Sequence, residues 1–172
     1  ICAFLPFPGW QKMVAFLSSA SILSYGIGPI CLLALRKIQP EQRRPFKLLG
    51  SLFFCNIAFY VCNLMLYWCG FSVIWKLCLA ILFGFIIYLC YQKRNFWSGN
   101  YSLYWFFSYI TVLLLLSYLG PFGGIARLKF PFGMLIIFPF SLLMLYLSQY
   151  CLVRDQAEKE SFDLMNKQLQ DL

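Results

Sequence analysis

Histidine is absent from all 172 residues of this sequence, and acidic residues are few. The lack of imidazole excludes histidine-dependent acid–base catalysis, histidine activation of a serine or cysteine nucleophile, and metal sites built on histidine. Only 6 aspartates and glutamates oppose 14 lysines and arginines, and Glu41 is the only acid before residue 155. We therefore predict that the chain is not an enzyme.

Charge of either sign is also scarce, whereas apolar residues are abundant. Charged residues make up 12% of the chain and hydrophobic residues 62%, against about 25% and about 45–50% in soluble domains. A soluble fold of this length has too small a core to bury so much apolar surface. Lipid must cover it, which predicts an integral membrane protein.

Five stretches are long and apolar enough to cross a bilayer as helices. They lie at about 13–35, 48–68, 71–91, 103–119 and 132–153. Helix is expected because hydrocarbon offers no hydrogen-bonding partner to an open sheet edge. The predicted fold class is therefore an all-α membrane protein with five transmembrane helices, followed by a polar tail at 154–172.

The basic residues fall between the apolar stretches, which is typical of cytoplasmic loops and argues against nucleic acid as a partner. The loop after the first span is the most basic, with Arg36, Lys37, Arg43, Arg44 and Lys47. The positive-inside rule places that loop and the C-terminal tail in the cytoplasm. The tail holds five of the six acids, and its spacing fits either an amphipathic helix or a frayed end.

On this topology the N-terminus lies outside the cell. The sequence begins at Ile1 and shows no signal-peptide pattern. An outside N-terminus without a targeting signal is natural when earlier spans precede it. We therefore expect a fragment of a longer protein.

The first span contains Gly26, Gly28 and Pro29, which together weaken helical hydrogen bonding in the middle of the membrane. One interpretation is a bend or gate beside a substrate path, as in transporters with broken helices. The other is close helix packing through small residues. The sequence leaves both open.

Asn56, Tyr60 and Asn63 share one face of the second span, because they are spaced by four and three residues. Polar groups at this depth need partners, so we expect this face to meet protein. Hydrogen bonding between helices is the favoured interpretation, and a substrate role is the alternative. The eight cysteines include no CxxC pair, so neither a metal site nor a cofactor is predicted.

A longer motif starts near the end of the first span. Leu35-Arg36 is followed by Pro40 and by Arg44-Pro45-Phe46. This segment resembles the cytoplasmic loop after the tenth helix of amino acid permeases of the amino acid–polyamine–organocation (APC) superfamily. The turn at 67–70 and the loop at 117–124 resemble the longer bacterial branch, which has about fourteen spans.

The resemblance implies that the five spans are helices ten to fourteen of a LeuT-like transporter, in a bacterial plasma membrane. Such transporters bind substrate chiefly on their broken first and sixth helices. We therefore expect part of an amino acid permease that does not transport alone, with no substrate-binding residue identifiable. Its implied partners are lipid, the remaining N-terminal helices and an amino acid. The alternative is a small standalone accessory or scaffold membrane protein.

Overall fold

The computed structural model describes residues 9–41, 43, 49–91, 101–125, 127 and 131–170, with the backbone alone at 159, 160 and 162–170. These residues form five α-helices and no strand. The helices are α1 Trp10–Ile38, α2 Ser51–Cys69, α3 Phe71–Tyr91, α4 Tyr101–Leu119 and α5 Phe132–Gln170. All five are long and apolar enough to cross a membrane. The predicted all-α membrane fold class is therefore confirmed.

Two helices continue past the apolar stretches that predicted them. At its C-terminus α1 includes Arg36 and Lys37, where cations interact favourably with the helix dipole. The fifth helix runs unbroken for 39 residues, through Pro139 and into the polar tail. Hydropathy indicates where a helix leaves the hydrocarbon. It does not indicate where the helix ends, because backbone hydrogen bonds can continue into the polar region.

The helices pack as an antiparallel bundle with α2 in contact with all four others. At one end of the bundle, here called the Arg36 end, the C-terminus of α1 lies beside the N-terminus of α2. Arg36 Nη1 donates a hydrogen bond to Ser51 Oγ there at 2.5 Å. Lys37 lies 6.0 Å from the ring centre of Tyr146, which brings α5 to the same end.

The opposite end, here called the Gly70 end, is built on a one-residue turn between α2 and α3. Gly70 has φ +85°, a left-handed conformation that glycine adopts without steric cost. Phe71 N donates to Phe122 O at 2.9 Å, which brings the α4–α5 loop against the turn. A Cβ at Gly70 would lie only 2.8 Å from that same carbonyl oxygen.

The core runs along the bundle axis and takes residues from every helix. Its most deeply buried apolar members include Ile30, Leu33, Phe59, Leu66, Ile74, Leu113 and Leu145. Large apolar side chains also cover the outside, such as Phe83, which is 67% exposed, and Leu135, which is 73% exposed. Lipid stabilises such a surface, whereas a soluble monomer rarely exposes one of this extent.

Candidate functional site

The clearest polar site in the described part of the bundle is centred on Asn63 of α2. Asn63 is 1% exposed, and its Nδ2 donates to Ser141 Oγ on α5 at 3.1 Å and to Phe59 O at 3.0 Å. Its Oδ1 accepts from Tyr109 Oη on α4 at 2.7 Å. Asn63, Tyr109 and Ser141, here called the Asn63 network, thus join three helices. Buried polar groups at this depth need such partners.

Aromatic stacking fixes the tyrosine of this network. The Tyr109 ring lies nearly parallel to Trp105, 5.5 Å away, and to Phe140, 6.0 Å away. Trp105 Nε1 donates to Met144 O at 2.9 Å, which ties α4 to α5 a second time. Offset aromatic pairs contribute about 0.5–1.5 kcal/mol beyond burial. The stacking therefore helps to fix the Tyr109 ring in the orientation from which its hydroxyl donates to Asn63.

The other two polar residues of the α2 face lie outside this network. Asn56 Nδ2 donates to Leu52 O of its own helix at 2.8 Å. Tyr60 is half-buried, and its ring meets Phe138 edge-on at 5.4 Å. The structure therefore brings one residue of the predicted polar face into a hydrogen bond between helices. A substrate role for the face stays a prediction.

The glycines and proline of α1 lie within continuous α-helix. Gly26 is buried against α2, and a Cβ there would lie 3.8 Å from Cys62 Cβ. Gly28 is exposed and has no neighbouring atom within 4 Å of such a Cβ, and Pro29 is half-buried. Gly26 thus lies in a close helix contact, while a bend or gate at these positions stays a prediction.

Part of the permease-like loop motif is described. Arg36 bonds to Ser51, as above, and Pro40 is exposed after the end of α1. Arg44, Pro45 and Phe46 lie outside the described residues. The structure therefore shows one role within the motif, in which Arg36 links the end of α1 to the start of α2.

One functional group, Asp155, was missed from the sequence. We expected residues from 154 onward to form a solvated tail, but Asp155 is only 8% exposed. Its carboxylate accepts from Tyr101 N at 2.8 Å, from Ser102 N at 2.9 Å and from Ser102 Oγ. These are free amides in the first turn of α4, whose positive dipole end favours an anion. The sequence carries no signal for this contact, because none of the five helices has an acid in its first turn and α4 does not differ from the others in this respect.

Beside the Asn63 network lies a small enclosed space. Its volume is about 10 Å³, and its walls include Asn63, Tyr67, Leu113, Leu116, Ile137 and Phe140. Ligand pockets usually measure about 300–1,000 Å³, and about 10–15 Å³ holds a single water. The described residues around the network therefore leave no room for an amino acid, and the network's evident chemistry is helix anchoring.

These features define a class: an all-helical integral membrane protein whose helices are joined by a buried polar network. The chain is 32% identical over 158 residues to the aspartate-proton symporter of Bacillus subtilis (strain 168). This alignment covers 85% of the chain and 29% of the symporter. It is 31% identical over 143 residues to the glutamate/serine transporter AimA of the same organism. That alignment covers 80% of the chain and 26% of the transporter.

Both of these relatives are named as amino acid transporters. The chain spans less than a third of the length of either one. No protein-family model matches the chain, and no solved structure matches it. This chain is therefore similar in sequence to part of two bacterial proteins that are named as transporters.

Proposed function

We propose that this chain is part of an amino acid transporter of the APC superfamily, in which it supplies packing helices. The observation that carries the proposal is the 32% identity to the aspartate-proton symporter across 85% of the chain. The complete transporter would then take a small polar or acidic amino acid, the class to which aspartate, glutamate and serine belong.

The internal chemistry of the bundle supports a packing role. Asn63, Tyr109 and Ser141 direct their hydrogen bonds to one another, across helices. The space beside them, about 10 Å³, is far smaller than an amino acid needs. Substrate contacts would accordingly come from helices of the transporter other than these five, and this chain would not transport alone.

The charges support one orientation of the bundle. The Arg36 end carries Arg36, Lys37, Arg43 and Arg154 among the described residues, and the Gly70 end carries Lys12, Lys76 and Arg127. The positive-inside rule then places the Arg36 end and the C-terminus in the cytoplasm. A C-terminal green fluorescent protein fusion should fluoresce, whereas a C-terminal alkaline phosphatase fusion should be inactive. The reverse pair of results would overturn this orientation.

A chimera tests the transporter proposal. The segment of the Bacillus subtilis aspartate-proton symporter that aligns with this chain would be replaced by residues 1–172. We expect uptake of labelled aspartate by cells lacking their own transporter to persist at a reduced rate. A chimera with the same segment deleted serves as the control and should not transport.

Two results would contradict the proposal. One is a chimera that reaches the membrane at the level of the parent symporter but takes up no more aspartate than the deletion control. The other is uptake of aspartate, glutamate or serine by proteoliposomes that contain this chain alone, because it would place the substrate site within these five helices.

A further inference from the structure

A groove opens on the surface at the Gly70 end, between the first turns of α1 and α3. It has a volume of about 570 Å³ and is lined by Lys12, Met13, Phe16, Leu17, Lys76 and Leu79. We call it the Lys12–Lys76 groove. Its floor is apolar and open to the outside, since Met13 is 66% and Leu17 is 64% exposed. Among the described residues that line it, the two lysines are the polar ones.

The depth of the groove in the membrane follows from its neighbours. Lys76 lies within the first two turns of α3, which begins at Phe71. Trp75 precedes it and is 46% exposed, and exposed tryptophan favours the level of the lipid headgroups. Trp10, the first residue of α1, stands near Lys12 in the sequence. The two ammonium groups therefore lie close to the headgroup layer, with the apolar floor extending toward the hydrocarbon.

Among the side chains that the structure describes, no acid lies near these lysines. Glu41 follows the end of α1 at the Arg36 end, and α1 is 29 residues long. At 1.5 Å per residue, that helix separates Lys12 from Glu41 by roughly 40 Å. Asp155 caps α4 at the same far end, and the remaining acids follow it in the sequence. The described residues therefore offer no carboxylate that could pair with Lys12 or Lys76, and both ammonium groups are open to an anion from the surroundings.

We propose that the Lys12–Lys76 groove binds an anionic phospholipid. Its phosphate accepts hydrogen bonds from the two ammonium groups, and one acyl chain lies along Met13, Leu17 and Leu79. A phospholipid matches both parts of the groove at once, because it places an anion at headgroup depth directly above an apolar chain. The inference depends on the chain lying in a membrane and is independent of the transport proposal.

The size of the effect follows from the charges. A lysine near an anionic membrane surface contributes about 1 kcal/mol, which is about fivefold in affinity. Lys12→Gln and Lys76→Gln should therefore each weaken binding of the anionic lipid about fivefold, and the double variant about 25-fold. Both lysines are exposed, so neither substitution should disturb the packing of the bundle.

Native mass spectrometry of the purified chain in a neutral detergent provides the test. The chain is titrated with phosphatidylglycerol or with phosphatidylcholine of identical acyl chains, and retained lipid is counted. We expect preferential retention of phosphatidylglycerol by the wild type, with binding about fivefold weaker in each single lysine variant and about 25-fold weaker in the double variant. Arg127→Gln is the matched control, because Arg127 is an exposed cation of the Gly70 end that does not line the groove. It should bind phosphatidylglycerol as the wild type does.

Four results would overturn the proposal. The first is equal retention of the two lipids by the wild type. The second is a loss in Arg127→Gln as large as in Lys76→Gln, because binding would then follow net charge and not the groove. The third is a dimer that the lysine variants abolish while no lipid is retained, which would assign the groove to a second copy of the chain. Full competition by glycerol phosphate, which has no acyl chain, would likewise exclude a role for the apolar floor.

Discussion

The Asn63 network predicts energetic coupling between two helices that can be measured directly. The hydrogen bond from Tyr109 Oη to Asn63 Oδ1, at 2.7 Å, joins α4 to α2 in the interior of the bundle. We would replace Asn63 by leucine, Tyr109 by phenylalanine, and both together. Each change keeps an apolar or aromatic group of similar size, so the main perturbation is the loss of polar partners.

The magnitudes follow from which groups each variant leaves unpaired. Tyr109→Phe leaves only Asn63 Oδ1 without its donor, which should cost about 1 kcal/mol. Asn63→Leu leaves the hydroxyls of Tyr109 and Ser141 without their partner, and should cost about 2–3 kcal/mol. In the double variant the tyrosine hydroxyl is gone as well. Its cost should therefore not exceed that of Asn63→Leu, which corresponds to a coupling of about 1 kcal/mol.

Reversible unfolding in bicelles by sodium dodecyl sulfate, followed by circular dichroism, gives the three free energies of unfolding. The matched control pairs Asn56→Leu with Tyr109→Phe, because Asn56 bonds only to Leu52 O of its own helix in the structure. That pair should be additive. If the Asn63 pair is also additive within about 0.3 kcal/mol, the hydrogen bond between α2 and α4 contributes nothing, and the anchoring role argued above is refuted.

Two further substitutions test the ends of the bundle. Gly70→Ala should lower the free energy of unfolding by about 1–3 kcal/mol, because it combines a left-handed residue with a Cβ 2.8 Å from a carbonyl oxygen. The control Gly84→Ala in α3, where no atom lies within 4 Å of the added Cβ, should be neutral or slightly stabilising in the same sodium dodecyl sulfate unfolding assay. Asp155→Ala should speed hydrogen exchange at the first amides of α4 about fivefold, whereas Glu158→Ala, exposed one turn later, should leave it unchanged. Unchanged exchange in Asp155→Ala would show that α4 needs no cap.

The fold class was predictable because its cause is compositional. The chain has five continuous apolar stretches and only 12% charged residues. Such stretches are stable in lipid, and in lipid they form helices because every backbone polar group must be hydrogen-bonded. The ends of the helices were less predictable. Both α1 and α5 continue past the end of the apolar stretch that predicted them. In α1 the cations Arg36 and Lys37 lie in the last turn, where they interact favourably with the helix dipole.

The site was predictable only in part. Spacing along one helix showed that Asn63 shares a face with Asn56 and Tyr60, but spacing carries no information on which helix faces them. The partners Tyr109 and Ser141 are 46 and 78 residues away in the chain. Tyr109 lies in an aromatic stretch and Ser141 in an apolar stretch. Neither residue can be recognised from the sequence as a partner of Asn63.

Asp155 was predicted to be exposed, whereas the structure buries it. Its charge and its position beside a polar tail predicted solvent, because isolated carboxylates are costly to bury. The structure removes that cost by supplying the unpaired amides of Tyr101 and Ser102. Arg154 lies over the ring of Tyr101, 4.2 Å from its centre, which adds a second contact between α5 and the start of α4. The compensation comes from an element more than fifty residues earlier, so no local pattern could have revealed it.

The two ends of the bundle therefore balance charge in different ways, and this makes their roles separable. At the Arg36 end the carboxylate of Asp155 is stabilised within the chain, by two amides and a hydroxyl of the first turn of α4. At the Gly70 end no described acid lies near Lys12 or Lys76, and on our proposal the anion that they meet is a lipid phosphate. Variants of Asp155 should then lose stability equally in neutral and anionic bilayers. Variants of the two lysines should differ from the wild type only where anionic lipid is present, because only there is the interaction they remove available.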